Sequence, residues 1–176
     1  MHVGPDGEDE MIGVELERRA IHEAGHAGFA FKLGIGVQYV EIRTHNAGFC
    51  EYEAGLNQQL EYNFVQRWKA YILTQMGGMA AETRYAREKG VGAPGWSGAW
   101  DEDWRLVNKG IDCLFMHNSN EKSNHDAELQ RLSLLAKGMI DDDHIWTGIV
   151  AIANGLIRQE RLEGHEAEAL YRAVHS

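Results

Sequence analysis

No run in this 176-residue chain approaches the roughly 20 consecutive apolar residues of a membrane-spanning helix. The most apolar stretch, Ile145 to Ile157, is interrupted by Thr147, Gly148 and Asn154 and reads as a buried helix, so a soluble protein is expected. Cysteine is nearly missing. Cys50 and Cys113 have no CxxC spacing and no secretory signal peptide, which argues against a disulfide framework or a thiolate zinc site and fits a reducing cytoplasm. Clustered lysine and arginine are missing as well. With 27 acids against 17 basic residues and a formal charge of -10, no face is suited to a polyanion, and nucleic acid is not an expected partner. Internal repeats, low-complexity tracts and a GxxxxGK[ST] phosphate loop are also absent from this sequence.

What is present is an ordinary globular composition, 44% hydrophobic and 25% charged, in a length that suits one domain. The first ten residues, Met1 to Glu10, carry almost nothing apolar and predict a frayed terminus or a cloning remnant, so residues 1–12 are set apart and 13–176 are taken as the folded domain. Ile21, Ala24, Gly28 and Phe31 recur at helical spacing and predict a first helix over Val14 to Phe31. Val37 to Ile42 alternates polar and apolar, and Phe49 to Tyr52 pairs with it across a turn at His45 to Gly48, giving a small sheet or hairpin. Val37 to Ile42 reads equally as a paired strand or as an exposed edge able to take an extended peptide.

A second helix is predicted from the stripe Leu60, Phe64, Trp68, Tyr71, Gln75, Met79 and Thr83, ending near Glu88. A glycine-rich loop follows over residues 90–98. Acids at Asp101, Glu102 and Asp103 open a third helix with Trp104, Val107, Ile111 and Leu114 on its buried face. Leu129, Leu132, Ala136 and Met139 mark a fourth helix, the apolar stretch from Ile145 a fifth, and Ala167, Leu170 and Val174 a short last one. The fold class expected is mainly α, with a small sheet after the first helix. Asp141 to Asp143 reads as a solvated helix boundary. Trp96, Trp100 and Trp104, at four-residue spacing, read as core or as the lining of a cleft.

The chemistry is concentrated in His22-Glu23-Ala24-Gly25-His26, an HExxH pattern inside the first predicted helix. Histidines four apart share a helix face and can converge on one metal ion, while Glu23 is turned by about 100°. Zinc lowers the pKa of a bound water to roughly 7, and a neighbouring carboxylate can take its proton as the oxygen attacks a carbonyl. His22 and His26 are therefore candidate zinc ligands, one Zn2+ per chain, and Glu23 the candidate general base. The same string also reads as two solvated histidines beside a surface glutamate. Ala24, Gly25, Ala27 and Gly28 leave the helix nearly bare on part of its surface, and Gly77-Gly78-Met79-Ala80-Ala81-Glu82 is a matching small-residue patch on the second helix; together they predict close helix packing. Glu82 is read as a cap or a brace.

These segments resemble the zinc peptidase domain of the FtsH-type AAA proteases. His22 to Ala27 is similar to that family's HEAGHA, Gly77 to Glu82 to its GGRAAE, and Leu162, Gly164, Glu166 and Leu170 fall in register with its closing TLxGxEVxxL pattern. The resemblance spans roughly Glu15 to Val174. It implies a mostly helical peptidase that cleaves unfolded polypeptide. It also implies a third ligand from an aspartate in a segment like GASNDL, here Ser97 to Trp104, where alignment of Trp104 with the family's leucine selects Asp103 and leaves Asp101 as second choice. On pattern alone, Asp103 serves equally as a helix N-cap. Met79 stands where the family has arginine, and these 176 residues hold neither a phosphate loop nor an apolar run long enough for a membrane anchor. A separate ATPase or adaptor is thus a partner compatible with the sequence, alongside the polypeptide substrate. Two other functions share these residues: a catalytically degenerate, zinc-binding regulatory or interaction module, and a hydrolase of non-peptide amides. Oligomeric state leaves no mark in the sequence.

Overall fold

The computed structural model describes residues 5–43, 47–52, 64–91, 99–116 and 122–174. Helix α1 (Pro5–Lys32) is followed by strands β1 (Val37–Arg43) and β2 (Ala47–Tyr52), then by α2 (Phe64–Lys89), α3 (Ala99–Phe115), α4 (Lys122–Asp141) and α5 (Asp143–Gln159). The short strand β3 (Arg161–Glu163) and helix α6 (Gly164–Ala173) close the described chain. The architecture is mainly helical with one small antiparallel sheet, as expected. Helix α1 starts well before Val14, running back through the segment for which the sequence predicts fraying.

Helix α1 is central. Every residue from Ala20 to Ala30 is buried, because α2 packs along one side, α5 along another, and the sheet against its second half. The bare faces meet as predicted: a Cβ placed on Gly25 would lie 2.4 Å from the Gly77 carbonyl oxygen, and one on Gly77 would lie 2.5 Å from that of Gly25. Backbone therefore touches backbone where α1 crosses α2. On the α5 side, Gly28 makes room for the Ile149 side chain, which would sit 2.4 Å from an added Cβ.

The sheet order is β2-β1-β3, which corrects the reading of Val37 to Ile42 as an exposed edge. Strand β1 pairs on both sides, with Val40 opposite Cys50 and also opposite Leu162. Sequence patterning missed β3 because three residues are too few to show alternation. Its entry is set by Glu160, a non-glycine residue at φ 61°, whose N–H donates to the Leu156 carbonyl at 2.7 Å and whose carbonyl accepts from Ile42 at 2.8 Å. Gly164 then brings α6 against β1 so closely that a side chain there would collide with the Val37 carbonyl. Strand β2 begins at Ala47, so Ala47 and Gly48, read as turn residues, belong to the strand. His45, Asn46, Leu60, Trp96 and most of the glycine-rich loop lie outside the described residues.

Helix α3 departs from expectation in its buried face. Val107 and Ile111 are fully buried, but Trp104 is 38% exposed, and the position that turns inward is Asp103, 7% exposed. Helical geometry explains the swap, since Asp103, Val107, Gly110 and Ile111 form one stripe with steps of three and four. The predicted boundary at Asp141 to Asp143 is solvated, with Asp142 capping α5 by accepting the His144 N–H at 2.9 Å.

The contact of α1 with α2 sets a stability test. Gly25→Ala is expected to lose about 1–3 kcal/mol through overpacking. Gly138→Ala, where an added Cβ meets nothing within 4 Å, is expected to gain about 0.5–1 kcal/mol from the lower entropy of its unfolded chain. Urea denaturation measures both, and coincident midpoints would mean the helices do not touch at Gly25.

Candidate metal centre

Placing His22, Glu23 and His26 in the all-round buried part of α1 removes three ionisable groups from water, and each needs partners to offset that cost. His26 Nδ1 lies 2.9 Å from the Thr74 carbonyl oxygen on α2. A carbonyl can only accept, so Nδ1 carries the proton and Nε2 presents its lone pair. His22 Nδ1 lies 3.2 Å from Glu82 Oε2, and the carboxylate imposes the same tautomer. Both Nε2 atoms consequently point into one space and stand 3.2 Å apart.

Asp103 completes that space. Its Oδ2 is 3.1 Å from His22 Nε2 and its Oδ1 3.4 Å from His26 Nε2. All three donor atoms lie within 4.8 Å of one another, and all three residues are buried. Asp103 Oδ2 is buried without a hydrogen bond of acceptable geometry. Two imidazole Nε2 atoms and a carboxylate facing one point can share a cation, a metal ion or a second ring proton, so the group can hold a metal ion. The electrostatics agree. Burial pushes the pKa of His22 down, but the closeness of the Asp103, Glu82 and Glu23 carboxylates outweighs it and lifts the ring to about 10. His26 is likewise raised by Asp103 against the effect of burial. Asp103 is held well below its ordinary range, as the two imidazoles overcome its own desolvation. Asp103 is the fifth residue of α3, too far along the helix to be its N-cap. Asp101 is exposed and outside the group.

Glu82 is a brace. At 2% exposure, its Oε1 accepts from Arg18 Nη2 at 2.9 Å and Nε at 3.2 Å, while its Oε2 faces His22 and accepts from Trp100 Nε1 at 2.8 Å. The fork of Arg18 and the indole fix the carboxylate, and the carboxylate fixes the imidazole. These two partners were not identified from sequence. Arg18 sits one turn before His22, and that spacing is the only trace of it. Trp100 and Trp104 line a cavity of about 320 Å³ with Met76, Met79 and Ile140, on the face of α2 that helical spacing turns away from Gly78 and Glu82.

Two glycines shape the remaining walls. A Cβ on Gly78 would lie 2.5 Å from His26 Nε2 and 2.7 Å from His22 Nε2, so the imidazoles rest directly on the backbone of α2. A Cβ on Gly48 would lie 2.3 Å from Glu23 Oε1, so the Glu23 carboxylate lies over the backbone of β2. Glu23 is buried yet stands outside the three-residue group. Burial raises its pKa, and the two histidines oppose that rise only in part.

Among the described residues, no helix is long and apolar enough to cross a membrane. No family model matches the chain, and no curated protein matches it significantly.

Elemental analysis of dialysed protein is expected to find about one metal ion per chain, and only traces in His22→Ala or His26→Ala. Asp103→Asn should weaken retention while Asp101→Asn leaves it unchanged; the reverse order would move the third donor to Asp101. In competition with a chelator, Glu82→Gln is expected to lower metal affinity about 10–100-fold.

Proposed function

We propose that the chain is a zinc metallopeptidase, holding one Zn2+ through His22, His26 and Asp103 and hydrolysing peptide bonds in unfolded polypeptide. The observation that carries this reading is the position of Glu23: buried beside a three-donor group, not part of it. A structural zinc site is normally closed by a fourth protein ligand, whereas a catalytic one has three and a carboxylate at its side. The spacing is compatible with zinc, since the two Nε2 atoms stand 3.2 Å apart and two imidazole nitrogens that shared one tetrahedral ion would lie about 3.3 Å apart. Bound zinc supplies Lewis acidity, acidifying water and polarising a carbonyl.

The remaining chemistry belongs to the chain's own residues. Glu23 takes one proton from water as the water oxygen bonds to the carbonyl carbon. It then returns that proton to the amide nitrogen as the C–N bond breaks, releasing an amine and a carboxylic acid, whose remaining proton passes to the amine to leave ammonium and carboxylate. Burial suits it to the first step, because a carboxylate with a raised pKa is a stronger base. His22 and His26 are held by Glu82 and Thr74, so they contribute donors without rearranging.

The peptide substrate class is supported by β2. In the order β2-β1-β3, the edge position next to Glu23 falls to β2, and no described strand pairs with its far side. An extended chain adding there would lie along the wall on which the Glu23 carboxylate rests. The motifs shared with FtsH-type peptidase domains point to the same substrate. Lacking a phosphate loop in this sequence, the domain is suited to polypeptide that is already unfolded, or delivered by a separate ATPase or adaptor.

Purified protein is expected to cleave casein without ATP. Glu23→Gln should keep its metal and lose about 10²–10⁴-fold in rate. Equal cleavage by wild type and Glu23→Gln, with contaminating protease excluded by His22→Ala, would remove Glu23 from the mechanism.

A further inference from the structure

We propose that the cavity between α2, α3 and α4 is a binding site for a small amphipathic carboxylate, with its apolar body between the helices and its carboxylate at Arg87 and Lys137. The site is separate from the metal centre and stands without the peptidase reading.

The cavity, of about 320 Å³, lies where one face of α2 looks across at α4. Met76, Met79, Ala80 and Thr83 share that face of α2, and Ser133, Ala136 and Ile140 answer from α4 at steps of three and four. The two helices run in the same sense, since Lys69 pairs with Glu128 at 3.0 Å near their starts and Arg87 with Asp141 at 3.0 Å near their ends. Trp100 and Trp104 of α3 close the side. The volume falls at the small end of the range for ligand sites, about 300–1,000 Å³, so a single short chain fits.

Most polar atoms along this wall are already engaged, which decides what the body of the occupant must be. Trp100 gives its N–H to Glu82 at 2.8 Å and Thr83 its hydroxyl to the Met79 carbonyl at 2.7 Å, leaving an indole ring and a methyl group to the cavity. Arg84 lines it too, yet its Nε, Nη1 and Nη2 donate to Glu88, the Ile140 carbonyl and Asp143 at 2.7, 2.7 and 2.6 Å. Its stem is therefore what it offers. A body that lies here is hydrocarbon, because a polar one would leave its own groups without partners.

The far end of the cavity is charged. Arg87 Nη2 and Lys137 Nζ both donate to Asp141, at 3.0 and 2.5 Å, and all three side chains line the space. Two cations on one carboxylate leave one positive charge over. A guanidinium carries five N–H donors and an ammonium three, so a second carboxylate can be accepted beside Asp141. Exposed ion pairs of this kind are weak and exchange partners readily. In a chain of net charge -10, a cationic end to an apolar cavity selects an anionic head: a carboxylate takes a bond from each cation, whereas an ammonium meets two like charges. Met76 lies roughly 16 Å along α2 from Arg87, which leaves room for a tail to extend away from the head.

The probe is decanoate, kept below the concentration at which it forms micelles and titrated into the whole chain by calorimetry. One molecule is expected to bind per chain. Decanol, which has the same tail and no charge, should bind about 10–100-fold more weakly for want of the charge-assisted bonds, and decyltrimethylammonium more weakly still. Arg87→Gln combined with Lys137→Gln changes two exposed positions, so the circular dichroism of the chain should be unaltered while the preference for decanoate over decanol disappears. Ser133→Phe, which fills the cavity from α4, should abolish binding of both. Absence of saturable binding, several molecules per chain, equal affinity for all three probes, a preference for decanoate that survives the double variant, or decanoate affinity untouched by Ser133→Phe would each overturn the assignment.

Discussion

Three ionisable side chains sit on a stretch of helix, Ala20 to Ala30, that is buried on every side, and much of the surrounding architecture answers that constraint. Leaving His22, Glu23 and His26 without partners in the interior would cost several kcal/mol each, a sum comparable with the whole stability of an ordinary domain. Thr74 offers a backbone carbonyl, Glu82 a carboxylate and Asp103 a second carboxylate, and each comes from a different place in the sequence. The site is consequently inseparable from the fold: the residues that satisfy it are also those that hold α1, α2 and α3 together.

Helix α2 serves this purpose by what it omits. Gly77 lets its backbone meet that of α1, and Gly78 lets two imidazoles lie where side chains would stand. One turn later the same helix supplies Glu82, aimed at the His22 imidazole. Close approach and hydrogen bonding depend on one another here. Helices held farther apart would put Thr74 and Glu82 out of reach of the ring nitrogens, and larger residues at the crossing would separate them.

Much of this was legible in the sequence, for physical reasons that differ by residue. His22 and His26 were legible because helical spacing alone puts them on one face, and the bare patches because glycine and alanine have no other use in two adjacent helices. The helical elements followed from apolar period. Asp103 was reached through an alignment that used Trp104 as the buried anchor, and the structure places Trp104 towards solvent and Asp103 inward. A surer signal was available in the stripe Asp103, Val107, Gly110 and Ile111, which has a charged member and is therefore easily passed over. Arg18 and Trp100 were not legible, since a brace two bonds removed from the motif imposes no pattern on its own segment. Strand β3 escaped because its pairing depends on a left-handed turn at Glu160, a residue type that rarely adopts that conformation. The edge position of β2 followed from β3 and could not be read without it.

The bond from Trp100 to Glu82 has a consequence of an optical kind. An indole whose N–H is tied to a carboxylate emits according to the charge that carboxylate feels, and the partner on the other side of Glu82 is His22. Exchange of a proton for a metal ion at His22 changes that charge relation at a distance of one residue. Trp100 is thus a chromophore joined through Glu82 to His22, and a metal ion taken up at that imidazole would register in its ultraviolet emission.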